Sequence, residues 1–165
     1  MSKTKLELTW IGKDKRPKLE PRILLEDPSK SYHASQKVTG NDIFDNKVIS
    51  GDNLLALKAL EQDYTGKVKC VYIDPPYNTN ASEIIYKNSY KHSSWMSLLQ
   101  DRVKVSRSLL SHEGIHCLTI DDVEFHRVKE IIENIYHQDN TLGVACIKNN
   151  PSGRSTANGF SIAHE

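Results

Sequence analysis

The sequence predicts an α/β fold on a parallel or mostly parallel, doubly wound sheet, and two observations carry that expectation. The first is a short apolar run, Cys70-Val71-Tyr72-Ile73, whose residues favour a strand and which stops abruptly at Asp74-Pro75-Pro76-Tyr77. The second is the alternation of such runs with stretches of helical periodicity from Asn41 onward, in the order β-α-β-α-β, which right-handed crossovers fold into parallel pairs.

Taken in order, residues 1–40 mix Lys13, Lys15, Arg16, Lys18 and Arg22 with Pro17 and Pro21. That is the pattern of an extended arm rather than a packed unit, with Trp10 and Ile11 as its anchors. Its basic residues suit either phosphate contact or a solvated arm laid over the domain. Residues 41–165 form the domain proper. Lys47-Val48-Ile49-Ser50 reads as a strand, and Gly51-Asp52-Asn53 as a turn capping a helix through Leu54, Leu57 and Leu60. Gly66 marks a break before the central strand. Asn80 to Lys91, with Tyr86 and Tyr90, is polar and without periodicity, which predicts a loop long enough to close over a substrate.

Ser93 or Ser94 is the expected cap of a helix whose apolar residues Trp95, Leu98, Leu99, Val103, Leu109 and Leu110 recur at three- and four-residue steps, ending at Gly114. Ile115 to Ile120 is the next strand. Asp121-Asp122-Val123-Glu124 is a capping-box pattern opening a helix through Val128, Ile131, Ile132 and Ile135. Leu142 to Ile147 reads as a last strand, followed by a loop from Asn149 in which Arg154 is placed to meet phosphate.

Composition narrows the classes. A chain of 165 residues, 38% hydrophobic and 26% charged, buries one ordinary core. A net charge of +1 gives no global attraction to nucleic acid, so any such contact rests on local patches. Cys70, Cys117 and Cys146 lack metal-ligand or paired spacing and read as buried thiols in a reducing compartment. His116 and His126 read as structural or solvated, and no metal site is expected. No apolar run approaches the roughly 18 residues of a membrane span and no signal peptide is visible, so a cytoplasmic location is expected.

The chemistry concentrates at Asp74-Pro75-Pro76-Tyr77. Prolines fix φ and donate no ladder hydrogen bond, so the strand must end in a stiff, extended turn. A carboxylate at the C-terminal end of a strand in a parallel sheet faces the crevice where open α/β sheets bind ligands. Asp74 and the Pro75 carbonyl can both accept hydrogen bonds from one planar amine, and Tyr77 offers a flat face for stacking. An exocyclic amine on a base drawn out of its helix fits that set. A tight Pro-Pro turn whose Asp merely caps the chain is the plainer alternative.

Asp74-Pro75-Pro76-Tyr77 followed by Asn78-Thr79 resembles the catalytic motif of amino-group DNA methyltransferases, in the form carried by adenine-N6 enzymes. The wider sequence, from Leu8-Thr9-Trp10-Ile11-Gly12-Lys13 through Gly51-Asp52-Asn53-Leu54 to Ile162-Ala163-His164-Glu165, is similar to the modification subunit of type III restriction-modification systems. Trp95, Arg102, Gly114 and Ile120-Asp121-Asp122 also stand where that family shows a helix and the strand after it. The resemblance implies a Rossmann-like, S-adenosyl-L-methionine-dependent methyltransferase fold and methyl transfer to a flipped adenine in double-stranded DNA. In it Asp74, Pro75, Pro76 and Tyr77 are catalytic, and the implied partners are a restriction subunit and a second modification subunit. It also implies that Asp52 faces the adenine ring of the cofactor, although a plain N-cap explains that residue equally well.

One family feature is missing. None of the eight glycines is separated from another by a single residue, so there is no Gly-x-Gly turn through which bare backbone approaches the methionine end of the cofactor. In the subgroup whose catalytic motif comes early, that turn and a target-recognition domain lie downstream. The chain is therefore expected to be an N-terminal piece, inactive alone, with unfilled strand edges and exposed apolar faces. Two other readings stand beside this one: a non-catalytic DNA- or subunit-binding piece, and a methyltransferase of RNA or protein glutamine. Asp74 weighs against the last, because those enzymes often carry Asn before Pro-Pro-Tyr.

Overall fold

The computed structural model describes residues 7–16, 18–20, 22–32, 34–78 and 91–148. It is a mixed α/β structure with a small parallel sheet. The order is helix α1 (Asn53–Tyr64), strand β1 (Val68–Ile73), helix α2 (Lys91–Leu109), strand β2 (Leu110–Leu118) and helix α3 (Phe125–Tyr136), followed by a single 3₁₀ turn at Gln138–Asn140. β1 and β2 pair in parallel, with Cys70 opposite Ile115 and Ile73 opposite Leu118.

The core lies on one face of this pair. Trp95, Met96, Leu99 and Val103 of α2 interlock with Val128, Ile131 and Ile135 of α3, all buried, with Ile73 and Leu118 closing the cluster from the sheet. These positions recur at helical spacing on both helices, so each presents one apolar stripe to the other. α1 lies beside α2 and runs in the same sense: Ser108 Oγ donates to Glu61 Oε1 at 2.7 Å near both C-terminal ends, and Asp52 at the head of α1 acts electrostatically on Arg102.

The opposite face of the sheet is bare among the described residues. Cys70, Tyr72, Ile115 and Cys117 alternate with the core-facing residues, and Tyr72 remains 63% exposed. Among the described residues, α2 and α3 cover the core-facing side of the sheet. The cysteines are not the buried thiols expected: all three are exposed, two on the open face and Cys146 beyond α3.

Several boundaries differ from expectation, each for a tertiary reason. Residues 47–50 and 142–147 are not strands, because the described sheet contains only β1 and β2 and neither segment pairs with it; Val48 is fully exposed. α2 already runs from Lys91, ahead of Ser93 and Ser94, and stops at Leu109 rather than near Gly114. Its last carbonyls are taken from outside: Gly66 N–H donates to Ser108 O and Lys67 N–H to Leu109 O, both at 3.1 Å. Gly66 can make this turn because its φ is +69°. Helix therefore passes directly into strand.

Gly114 instead sits inside β2, where the register jumps between the Val68–Leu110 and Cys70–Ile115 pairs. A Cβ there would lie 2.9 Å from Val68 O and 3.0 Å from Ser111 O, both backbone atoms that cannot swing aside. Gly114→Ala should cost about 1–3 kcal/mol through this overpacking, measured by chemical denaturation. A neutral substitution would mean that the bulge relaxes freely.

Glu124 is the N-cap of α3, but its side chain makes no capping hydrogen bond, so the expected reciprocal capping box does not form. Asp121 Oδ1 accepts from Val123 N–H at 3.2 Å instead, and the Glu124 carboxylate turns inward. Trp10 Nε1 donates to Ser97 Oγ of α2 at 2.8 Å. Arg16 pairs with Asp101 further along α2. Ile11, the other expected anchor, is 61% exposed. Of the loop expected from Asn80 to Lys91, Lys91 belongs to α2 and the rest, with Tyr86 and Tyr90, lies outside the described residues, as does the loop bearing Arg154.

His116, on the core-facing side of β2, packs against the Tyr136 ring at 5.3 Å between centroids, and Arg107 lies over that same Tyr136 ring at 5.9 Å. Burial lowers its pKa to about 4, and burial raises that of Tyr136 to about 12. An unfolded chain binds a proton at His116 near pH 6.5, whereas the folded one resists until about pH 4. Stability should therefore fall as pH drops through that window. Thermal melts between pH 7.5 and pH 4.5 should show a slope that His116→Phe reduces; an unchanged slope would mean that the ring is freely protonated in the fold.

Candidate active site

β1 delivers Asp74 one residue past its last paired position, as the proline pair requires. Thr119, the residue just after β2, reaches across: its backbone N–H donates to Ile73 O at 3.1 Å and its Oγ1 to Asp74 Oδ1 at 2.6 Å. Parallel register makes this possible, because the C-terminal ends of both strands finish side by side. The Asp74 side chain is exposed, and with one oxygen engaged by Thr119 it retains acceptor capacity on the other.

The turn beyond is held from below. Trp95, with no exposed surface, donates from Nε1 to Pro76 O at 2.7 Å. The bond goes to the Pro76 carbonyl, so it does not consume the Pro75 oxygen. Tyr77 is half-buried and Asn78 buried. Asn78 has φ +58°, a left-handed conformation that Asn tolerates better than most side chains. Its Nδ2 donates to Glu124 Oε1 at 2.5 Å. The same carboxylate oxygen lies 2.5 Å from His92 Nδ1, and Oε2 accepts from Arg127 at 2.9 Å.

The structure thus brings Asp74, Pro75, Pro76 and Tyr77 together on one short rigid corner. Asp52 is not part of it. That carboxylate caps α1, its Oδ1 accepting from Leu55 N–H at 3.0 Å, and borders a separate hollow of about 210 Å³ lined by Arg22, Ile49, Gly51, Leu55 and Ala59 among others. Sequence reasoning missed Thr119, Asn78, His92 and Glu124 as supports of the corner. Only the αL preference of Asn directly after Tyr77 offered a local signal; Thr119 and Glu124 meet the corner across 45 and 46 residues of chain, and His92 across 14.

What the corner offers chemically is a carboxylate and a backbone carbonyl as acceptors, a half-buried phenol ring, and a turn tied to its surroundings at Asp74, Pro76 and Asn78. A family model described as DNA methylase matches residues 68–165, beginning at the first residue of β1. The chain is 29% identical over 99% of its length to the EcoP15I Mod subunit, a type III restriction-modification enzyme of Escherichia coli, and covers 31% of that protein. It is 35% identical over 67% of its length to the probable HindVI Mod subunit of Haemophilus influenzae, covering 15% of it. It is 32% identical over 75% of its length to the type II methyltransferase M.KpnI of Klebsiella pneumoniae, covering 32% of it. The chain spans a third or less of the length of these curated relatives. With the family match covering β1, the corner and everything after them, the chain belongs to the DNA methylase family.

Proposed function

We propose that this chain is part of a DNA adenine-N6 methyltransferase of a restriction-modification system, with residues 41–165 the N-terminal part of a Rossmann-like catalytic domain and residues 1–40 its arm. The observation that carries the reading is Asp74 at the end of a parallel strand, oriented by Thr119 beside a turn that Trp95 pins through Pro76. A carboxylate so held meets its substrate without first paying reorganisation. The adenine amine is a weak nucleophile because its lone pair is delocalised into the ring. Asp74 and the Pro75 carbonyl, accepting its two hydrogens, favour pyramidal nitrogen and localise that pair. Tyr77 stacks on the everted base, worth about 1–3 kcal/mol against the few kcal/mol that extrusion costs.

S-adenosyl-L-methionine, when bound, supplies the methyl group. The residues present suit the base end of that cofactor. Asp52 keeps acceptor capacity for an adenine amino group, and the hollow beside it has apolar walls in Ile49, Leu55 and Ala59. At about 210 Å³ it is smaller than the roughly 300–1,000 Å³ of whole-ligand pockets, matching a part of the cofactor rather than all of it. The partners in this reading are double-stranded DNA, a restriction subunit and a second modification subunit, acting in the cytoplasm.

The test is product identity. The intact protein, incubated with labelled S-adenosyl-L-methionine and unmethylated bacterial DNA, should yield N6-methyladenine on nucleoside analysis. Label found only in N4-methylcytosine, in RNA or in protein would overturn the assignment.

A further inference from the structure

We propose that Glu124 is a positioning residue for methyl transfer, acting through Asn78 to set the conformation of the turn that carries Asp74 and Tyr77. The inference rests on the reading of Asp74 given above. Glu124 has no exposed surface, and a buried carboxylate is retained only where donors surround it. Here three converge from three parts of the fold: Asn78 from the corner, His92 from the first turn of α2, and Arg127 from the first turn of α3. Asn78 Nδ2 and His92 Nδ1 stand 3.4 Å apart and both approach Oε1, so the carboxylate is their shared acceptor.

Asn78 is the lever in this arrangement. It is 1% exposed and its φ is +58°, so its backbone turns in the left-handed region while its amide is held inside the fold. It lies one residue after Tyr77 and four after Asp74, so its tether to Glu124 holds the far end of the turn whose near end is fixed by β1. Fastening its amide to a carboxylate that is itself locked between α2 and α3 leaves the corner one orientation. Reactions that depend on near-attack geometry lose on the order of 10²-fold in rate for a displacement of about 1 Å. A change at Glu124 should therefore appear in turnover more than in binding.

The experiment uses the intact protein and steady-state methyl transfer from S-adenosyl-L-methionine to unmethylated bacterial DNA. Glu124→Gln keeps the volume but removes the charge that gathers the donors, and Asn78→Gly keeps the positive φ accessible while deleting the amide. Both should lower kcat by about 30- to 100-fold, with the KM for each substrate within about threefold. The double variant N78D/E124Q reverses donor and acceptor and should recover at least about tenfold of the kcat lost in Glu124→Gln. A purely structural role would lower yield or melting temperature, leave the kcat of the folded fraction intact and show no such recovery. Near-wild-type kcat in both single variants overturns the proposal. Asp74→Ala, assayed in parallel, separates the two ideas: if it is inactive while the Glu124 and Asn78 variants turn over normally, only the positioning role falls, whereas an active Asp74→Ala removes the reading beneath it as well.

Discussion

Asp74→Ala should abolish methyl transfer by the intact protein, by at least about a thousandfold, and leave DNA binding within about twofold. A single preorganised group in a transition-state site is worth roughly 10²–10³ in rate. Here the carboxylate is asked to accept an amine hydrogen and to hold the base, so its loss removes two contributions. It carries little of the fold: the side chain is exposed, and its bond to Thr119 is with a neighbouring strand end. Filter binding to duplex DNA and radiolabel transfer, measured on the same preparation, read the two properties separately. A drop in turnover of less than tenfold would show that Asp74 is not the acceptor. A parallel loss of DNA binding would show that the corner also forms the DNA surface.

Trp95→Ala should be the most destabilising single change in the described core, by about 3–5 kcal/mol. Trp95 is fully buried at the centre of the α2–α3 contact, and its indole N–H is the partner of Pro76 O. Truncation removes the packing, opens a cavity and strands a carbonyl in one step. Since whole domains are stable by about 5–15 kcal/mol, that is a large share of the total. Trp95→Phe keeps most of the volume and should cost about 1–2 kcal/mol, chiefly through the lost hydrogen bond. Urea denaturation of the two variants resolves these contributions. Equal destabilisation by Ala and Phe would place the effect in the hydrogen bond alone, and a loss under about 1 kcal/mol for Ala would contradict the placement of Trp95 at the core.

The two changes bracket the way fold and corner depend on each other. Asp74 is cheap to the fold and costly to the chemistry, whereas Trp95 sits in the core and yet touches the corner through one carbonyl. Glu124 falls between them, buried like a core residue and bonded to the turn like a site residue.

Read alone, the sequence determined the elements whose signals are local. β1 and its abrupt end follow from β-favouring residues and two prolines, α1 from an Asp at its cap, and the inner faces of α2 and α3 from apolar residues at helical spacing. The parallel pairing also followed, because a strand, helix, strand order leaves little other choice. Tertiary contacts decided the rest. α2 ends where the Gly66–Lys67 turn captures its last carbonyls, Gly114 serves a register shift in β2 rather than a helix stop, and residues 47–50 and 142–147 have strand composition but no paired strand among the described residues. Glu124 belongs to the same class: its spacing from Asp121 is that of a capping box, but Asn78, His92 and Arg127 draw its carboxylate inward. The physical reason is common to all of these. Propensity and periodicity act over a few neighbouring residues, whereas a buried carboxylate, a captured carbonyl or a sheet edge is satisfied by whichever group the fold carries to it from far along the chain.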